Sequence, residues 1–116
     1  MKLKTKRLIL REINGKDIRD IQKNINNLDV SKWLLVVPYP YTLKDARWWV
    51  DQCLKDYKSK ERKKYNFGIE LKEERKIIGG IGLDKVDKFQ GTASVGYWLG
   101  EDYWKQRYGS EALNEI

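Results

Sequence analysis

The sequence is 116 residues long, which fits one domain and leaves no room for two. Hydrophobic residues make up 41% and charged residues 35%, and five Trp, seven Tyr and two Phe supply enough apolar bulk to exclude a disordered chain. A single Cys and no His exclude an internal disulfide, a His/Cys zinc site and any Ser–His or Cys–His nucleophile pair, while a formal charge of +7 favours polyanionic or phosphorylated partners.

Residues Leu8 to Ile13 alternate between Leu8, Leu10, Glu12 and Ile9, Arg11, Ile13, the pattern of a half-buried strand. Asn14-Gly15 breaks it, and Asn14 caps a predicted helix from Lys16, with Asp17 in its first turn. Ile18, Ile21, Ile25 and Leu28 fall at helical spacing on one face. A short segment from Val30 to Val37 carries Trp33 and runs into Pro38-Tyr39-Pro40-Tyr41, where two prolines impose an extended path. Thr42 and Asp45 then form a capping box for a helix whose Ala46, Trp49, Val50, Cys53 and Tyr57 share one face. Cys53 is thus read as a small core residue rather than a nucleophile. The basic run Lys58 to Lys64 reads as a solvated helix end and loop.

Beyond it the period becomes two. Tyr65, Phe67, Ile69 and Leu71 predict a strand, Lys72 to Arg75 a turn, Lys76 to Val86 a second strand, Phe89-Gln90-Gly91 another turn, and Thr92 to Leu99 a third strand. Links this short make the three an antiparallel meander. Trp104-Lys105-Gln106-Arg107-Tyr108-Gly109 is a basic, glycine-containing loop, and Ser110 is placed to open a helix through Ala112, Leu113 and Ile116. A strand–loop–helix joint gathers free backbone N–H groups at the positive end of a helix dipole, where a phosphate is the natural occupant, and Lys105 and Arg107 add charge beside it. No apolar run reaches the ~20 residues that cross a bilayer and no signal-peptide core is present, so the expectation is a cytoplasmic chain without a membrane segment.

Five groups of residues, in order, give the chain a likeness to a known family. They are Thr5-Lys6-Arg7-Leu8-Ile9-Leu10-Arg11, then Pro40-Tyr41-Thr42 with Asp45-Ala46 and Trp49, then Ile78 to Leu83, Gly96 to Leu99, and Tyr103-Trp104 with Tyr108 to Ala112. The sequence resembles the Rim-type branch of the GNAT acetyltransferase superfamily over essentially its whole length. The resemblance implies an α+β, three-layer α/β/α fold with a central, mostly antiparallel sheet, residues 1–116 forming the N-terminal part of a single domain. It implies transfer of an acetyl group from acetyl-coenzyme A to a primary amine, often the N-terminal amine of a protein, with direct attack by the amine and neither a metal nor a protein nucleophile. It further implies a bulge near the end of the Thr92–Leu99 strand, a pantetheine arm paired with that strand past Trp98 and Leu99, and a diphosphate held by Trp104, Lys105, Gln106, Arg107, Tyr108, Gly109 and Ser110.

Two features depart from the family pattern. Arg107 stands where the family loop carries its first glycine, and its side chain either reaches a phosphate or distorts the cradle. The family also continues past the position of Ile116 with a strand, a helix and a hairpin that hold the group protonating the thiolate. The sequence lacks these C-terminal strands, which leaves a fragment, a truncated product or half of a site completed by another molecule, with an open sheet edge where a second copy would pair. No general base is assigned: Glu70 and Asp84 lie on or beside the sheet strands, but each reads more readily as a surface charge than as a base. Trp33, Tyr39 and Tyr41 are expected on the acceptor cleft, with core packing as the alternative. Two other readings stand beside catalysis: a non-catalytic coenzyme-binding or scaffold module, and a basic RNA- or ribosome-binding domain with salt-sensitive affinity.

Overall fold

Alternating side chains build the centre of the molecule. A computed structural model describes residues 2–31, 39–59, 65–87 and 92–115. Strands β1 (Lys2–Lys4), β2 (Leu8–Arg11), β3 (Tyr65–Leu71), β4 (Lys76–Asp87) and β5 (Thr92–Leu99) form one antiparallel sheet in sequence order. Four α-helices accompany it among the described residues: α1 (Ile18–Ile25), α2 (Leu28–Ser31), α3 (Leu43–Lys58) and α4 (Tyr108–Glu115).

The period of two sorts the strand residues onto two faces. Leu8, Leu10, Phe67, Ile69, Leu71, Ile78, Ile81 and Leu99 form one core with Ala112 of α4. Ile13 and Ile77 join Ile21 and Ile25 of α1 and Ala46, Val50 and Cys53 of α3 in the other. The three-layer α/β/α arrangement read from the sequence is therefore the observed one, with α1 and α3 opposite α4. The two capping predictions are also observed. The Thr42 hydroxyl accepts from the Asp45 amide at 3.2 Å while the Asp45 carboxylate accepts from the Thr42 amide at 2.9 Å. Asn14 accepts from Lys16 at 2.9 Å, although the turn it opens is a single 3-10 turn, Gly15–Asp17, before α1 begins. Asp17 is only 3% exposed, and Arg11 meets both its carboxylate oxygens at 2.8 Å while donating to Glu70 at 2.8 Å.

The structure corrects four expectations. Lys2–Lys4 is a strand, paired with Ile9–Arg11 on the outer edge, that the sequence reading missed because Leu3 is its only apolar residue. Leu28 opens α2 and is 56% exposed instead of continuing the α1 stripe. Helix α4 starts at Tyr108, so Gly109 lies in its first turn and Ser110 does not cap it. The pairing of β4 with β5 runs without interruption from Asp84↔Ser94 to Gly79↔Leu99, and its register shift lies between Asp84 and Asp87, at the other end from the bulge expected near Leu99. Gly79 and Gly80 lie close against Trp98 in this pairing: a Cβ on Gly79 would sit 2.2 Å from the Trp98 carbonyl oxygen and one on Gly80 2.5 Å from Trp98 Nε1. Trp33, Lys60 to Lys64 and the Phe89-Gln90-Gly91 turn lie outside the described residues. Among the described residues, no helix is long and apolar enough to cross a membrane.

Candidate functional site

Among the described residues β5 is the last strand of the sheet, with no strand paired on its outer edge. The Gly100 amide turns inward to the Ile78 carbonyl at 2.8 Å, so the strand's period of two turns the backbone groups of Leu99 and Tyr97 outward along that edge. The Trp104 indole Nε1 meets the outward Leu99 carbonyl at 2.9 Å. Between them Glu101–Tyr103 forms a 3-10 turn that takes up the Trp104 amide on the Glu101 carbonyl at 3.1 Å.

From Lys105 to Ser110 the amides meet no acceptor among the described residues. The first helical bond of α4 runs from the Glu111 amide to the Arg107 carbonyl at 3.1 Å, so Tyr108, Gly109 and Ser110 precede it as unpaired donors. The amides of Lys105, Gln106 and Arg107 likewise meet no acceptor among the described residues. Left-handed backbone at Lys105 (φ 68) and Arg107 (φ 63) brackets Gln106, the kind of alternation that turns successive N–H groups into an anion-binding concavity. Arg107 thus keeps the conformation a glycine would adopt, at a cost of about 1–2 kcal/mol. Its guanidinium carries only donors and cannot cap the helix it precedes. Neither Lys105 nor Arg107 pairs with a carboxylate among the described residues.

These elements enclose a cleft of about 500 Å³. Of the residues singled out in the sequence, Trp98, Leu99, Trp104, Lys105, Arg107, Tyr108, Gly109 and Ser110 line it, together with Tyr97 and Val30. Gln106 does not; its carbonyl faces away and accepts from Arg7 Nη2 at 2.9 Å. Gly109 matters through contact rather than backbone freedom: a Cβ there would lie 2.6 Å from the Tyr97 ring and displace that half-exposed side chain. Trp98 borders the cleft and is also half-buried against the α1/α3 core.

The remaining candidates separate. Tyr41, expected on the acceptor cleft, is a core residue: it is 4% exposed, its amide donates to Asn26 at 2.9 Å, and burial raises its phenol to about 12. Tyr39 is 54% exposed beside it, and Trp33 lies outside the described residues. Glu70 is held by Arg11 away from the cleft, and the Asp84 side chain is outside the described set. Cys53 is fully buried, and burial pushes its thiol up to about 12, so it carries no thiolate at neutral pH.

The sequence reading missed a contact behind the loop. Glu111, in the first turn of α4, accepts from the Thr5 hydroxyl, from the Arg7 amide at 2.9 Å and from Arg7 Nε at 2.8 Å. Partial burial raises its carboxyl, but those bonds, from Thr5 first and then Arg7, outweigh burial and hold it below the usual glutamate value of 4.5. Residues 104 positions apart leave no local signal of such a contact.

Comparison with known proteins bears on the same residues. Residues 7–116 match the family model described as an acetyltransferase (GNAT) domain. The chain is 30% identical over 114 residues to p20, an uncharacterized N-acetyltransferase of Bacillus licheniformis, covering 98% of this chain and 62% of that protein. A GNAT-family acetyltransferase structure from Bacillus anthracis superposes with a TM-score of 0.79 at 26% identity, covering 99% of this chain and 63% of that one. RimL, a ribosomal L7/L12 α-N-protein acetyltransferase solved in complex with coenzyme A, shares the fold with a TM-score of 0.75 at 16% identity, covering 99% and 64%. The chain spans less than two thirds of the length of each.

Proposed function

Because the chain belongs to the GNAT acetyltransferase family, we propose that it forms the coenzyme site of an N-acetyltransferase that moves an acetyl group from acetyl-coenzyme A to a primary amine, specifically a protein N-terminal amine. The observation that carries this reading is that Lys105, Arg107, Tyr108, Gly109 and Ser110, whose amides meet no acceptor among the described residues, line a cleft that runs beside the outer edge of β5. Five such residues in the loop and first turn of α4, with the cations Lys105 and Arg107 among them, suit a diphosphate. The outward groups of Tyr97 and the outward Leu99 amide suit the amide-bearing arm that follows it, laid alongside the strand as an additional partner, the Leu99 carbonyl being taken by Trp104.

Acetyl-coenzyme A supplies an activated thioester; this chain supplies position and polarisation. In this reading the outward Leu99 amide is the donor offered to the thioester carbonyl, where a fixed peptide dipole would stabilise developing oxyanion charge without reorganising. The amine nitrogen attacks the carbonyl carbon, the C–N bond forms as the C–S bond breaks, and the departing sulfur takes up a proton. An α-amine has a pKa of about 8, so it is partly unprotonated at neutral pH and gives up its remaining proton to water or a carboxylate. Tyr39, exposed at the end of the segment that includes Trp33, is our candidate for the acceptor side of the site.

The test is a calorimetric titration with acetyl-coenzyme A, followed by incubation with peptides bearing free N-terminal amines. Binding with peptide acetylation is the expected outcome, and no heat at millimolar ligand contradicts it. A second reading is favoured by one observation: Glu70, the described carboxylate considered as a base, is engaged by Arg11. Binding without acetylation would select a coenzyme-holding module. A second copy of the chain paired on the β5 edge would compete with the coenzyme, and the titration then depends on protein concentration.

A further inference from the structure

We infer that Arg7 is a positioning residue that locks the amide loop into its anion-binding shape from the side opposite the cleft. The inference rests on the coenzyme reading of that loop. Three contacts of one guanidinium support it: Nε donates to Glu111 at 2.8 Å, Nη2 donates to the Gln106 carbonyl at 2.9 Å, and the Arg7 Cζ lies 4.4 Å from the centroid of the Tyr108 ring. Arg7 therefore touches the last turn of the loop and the first turn of α4 together, yet it does not line the cleft.

The geometry of a trans peptide gives this contact its consequence. The Gln106 carbonyl and the Arg107 N–H belong to one planar unit and point in opposite directions. Drawing the carbonyl back onto Arg7 aims the Arg107 N–H the other way, toward the side on which Arg107 lines the cleft. The second effect is electrostatic. Glu111 is an anion in the first turn of the helix whose start is to hold an anion. Thr5 and Arg7 occupy both its carboxylate oxygens and offset its charge. The turn bearing these residues is itself fixed to the sheet, since the Lys72 amide donates to the Arg7 carbonyl at 2.9 Å and Lys72 Nζ to the Thr5 carbonyl at 2.5 Å. Arg is required because a planar fork spans Glu111 and Gln106 at once, which a single ammonium does not.

The experiment compares the wild-type chain, Arg7→Ala and Arg7→Lys by calorimetric titration with coenzyme A, by backbone amide order parameters and by thermal midpoint. Partly exposed ion pairs add little to stability, so Arg7→Ala is expected to leave the midpoint close to wild type. Its affinity falls roughly tenfold, the loss for re-ordering about one loop residue on binding. Order parameters from Gln106 to Gly109 drop from about 0.85 toward 0.6 while those of β3 and β4 stay unchanged. Arg7→Lys recovers less than half of the lost affinity. Wild-type affinity with unchanged loop order in Arg7→Ala overturns the assignment, and so does a loss of order across the whole sheet, which would make Arg7 a support of the fold. A wild-type chain that takes up no coenzyme A sinks the coenzyme reading instead, and loop order in Arg7→Ala alone then decides whether the clasp exists.

Discussion

Helices α3 and α4 begin in opposite ways. At α3 the residue before the helix is Thr42, whose hydroxyl and whose partner Asp45 close the first turn on itself. At α4 the residue before the helix is Arg107, a side chain with no acceptor, and the first-turn acid Glu111 is drawn away to Thr5 and Arg7. The same local structure is sealed in one place and left with open donors in the other. A capped start secures a helix; an uncapped one facing a cleft keeps its dipole and its amides available to an anion.

The largest effect is expected from filling the joint between α4 and β5. Gly109→Val drives a branched side chain into the Tyr97 ring, against which even a single Cβ would stand at 2.6 Å. Overpacking of this kind costs about 1–3 kcal/mol, and thermal melting with coenzyme titration should show a lowered midpoint and loss of binding together. Reversing the charge at the open start comes next. Arg107→Asp removes a cation and adds an anion beside the donors, and coenzyme affinity should fall on the order of a hundredfold with the fold intact by circular dichroism. Unchanged affinity would mean that the loop holds no anion.

The sealed start supplies the complementary change. Thr42→Ala should cost about 1 kcal/mol of stability through the lost cap and leave coenzyme affinity at its wild-type value. The buried thiol on the same helix should behave likewise: alkylation of Cys53 in the folded chain is expected to be slow, and Cys53→Ala to bind coenzyme normally. The smallest effect is in acid. Glu111 is held below its ordinary value of 4.5, so its contribution is complete above that value and disappears as pH falls through the lower folded one. Asp45, lowered by the Thr42 amide first, follows the same sign from its ordinary value of 3.8. Glu111→Gln should therefore flatten the acid limb of a stability–pH curve slightly while leaving the Asp45 part in place.

Periodicity made the layers legible. The period of two in Phe67, Ile69 and Leu71 and the helical spacing of Ala46, Val50 and Cys53 name core residues that the structure buries. The cleft was legible too, through the basic loop between a strand and a helix, because all of its lining but Val30 is local in sequence. What escaped was long-range or weakly patterned. β1 carries one apolar residue in three, Leu3, which is only partly buried against the core, and its pairing with β2 leaves no period to read. Tyr41 reads as readily for a cleft as for a core until its contacts with Asn26 and Gln22 are seen. Gly109 suggested a loop because glycine is permissive, whereas its role is to let Tyr97 approach a helix. Arg7 had no local signature at all, since its partners lie at the far end of the chain.

The central claim is that the amides between Lys105 and Ser110 receive the diphosphate of coenzyme A. Titrating coenzyme A into isotopically labelled protein and following each backbone N–H by nuclear magnetic resonance tests it directly. The account predicts that the largest shifts fall on Gln106 to Ser110, with a second group at Tyr97 and Leu99, and that the Thr42 to Asp45 amides stay still. Saturating ligand that leaves the start of α4 unmoved, or that shifts the capped start of α3 equally, would contradict it.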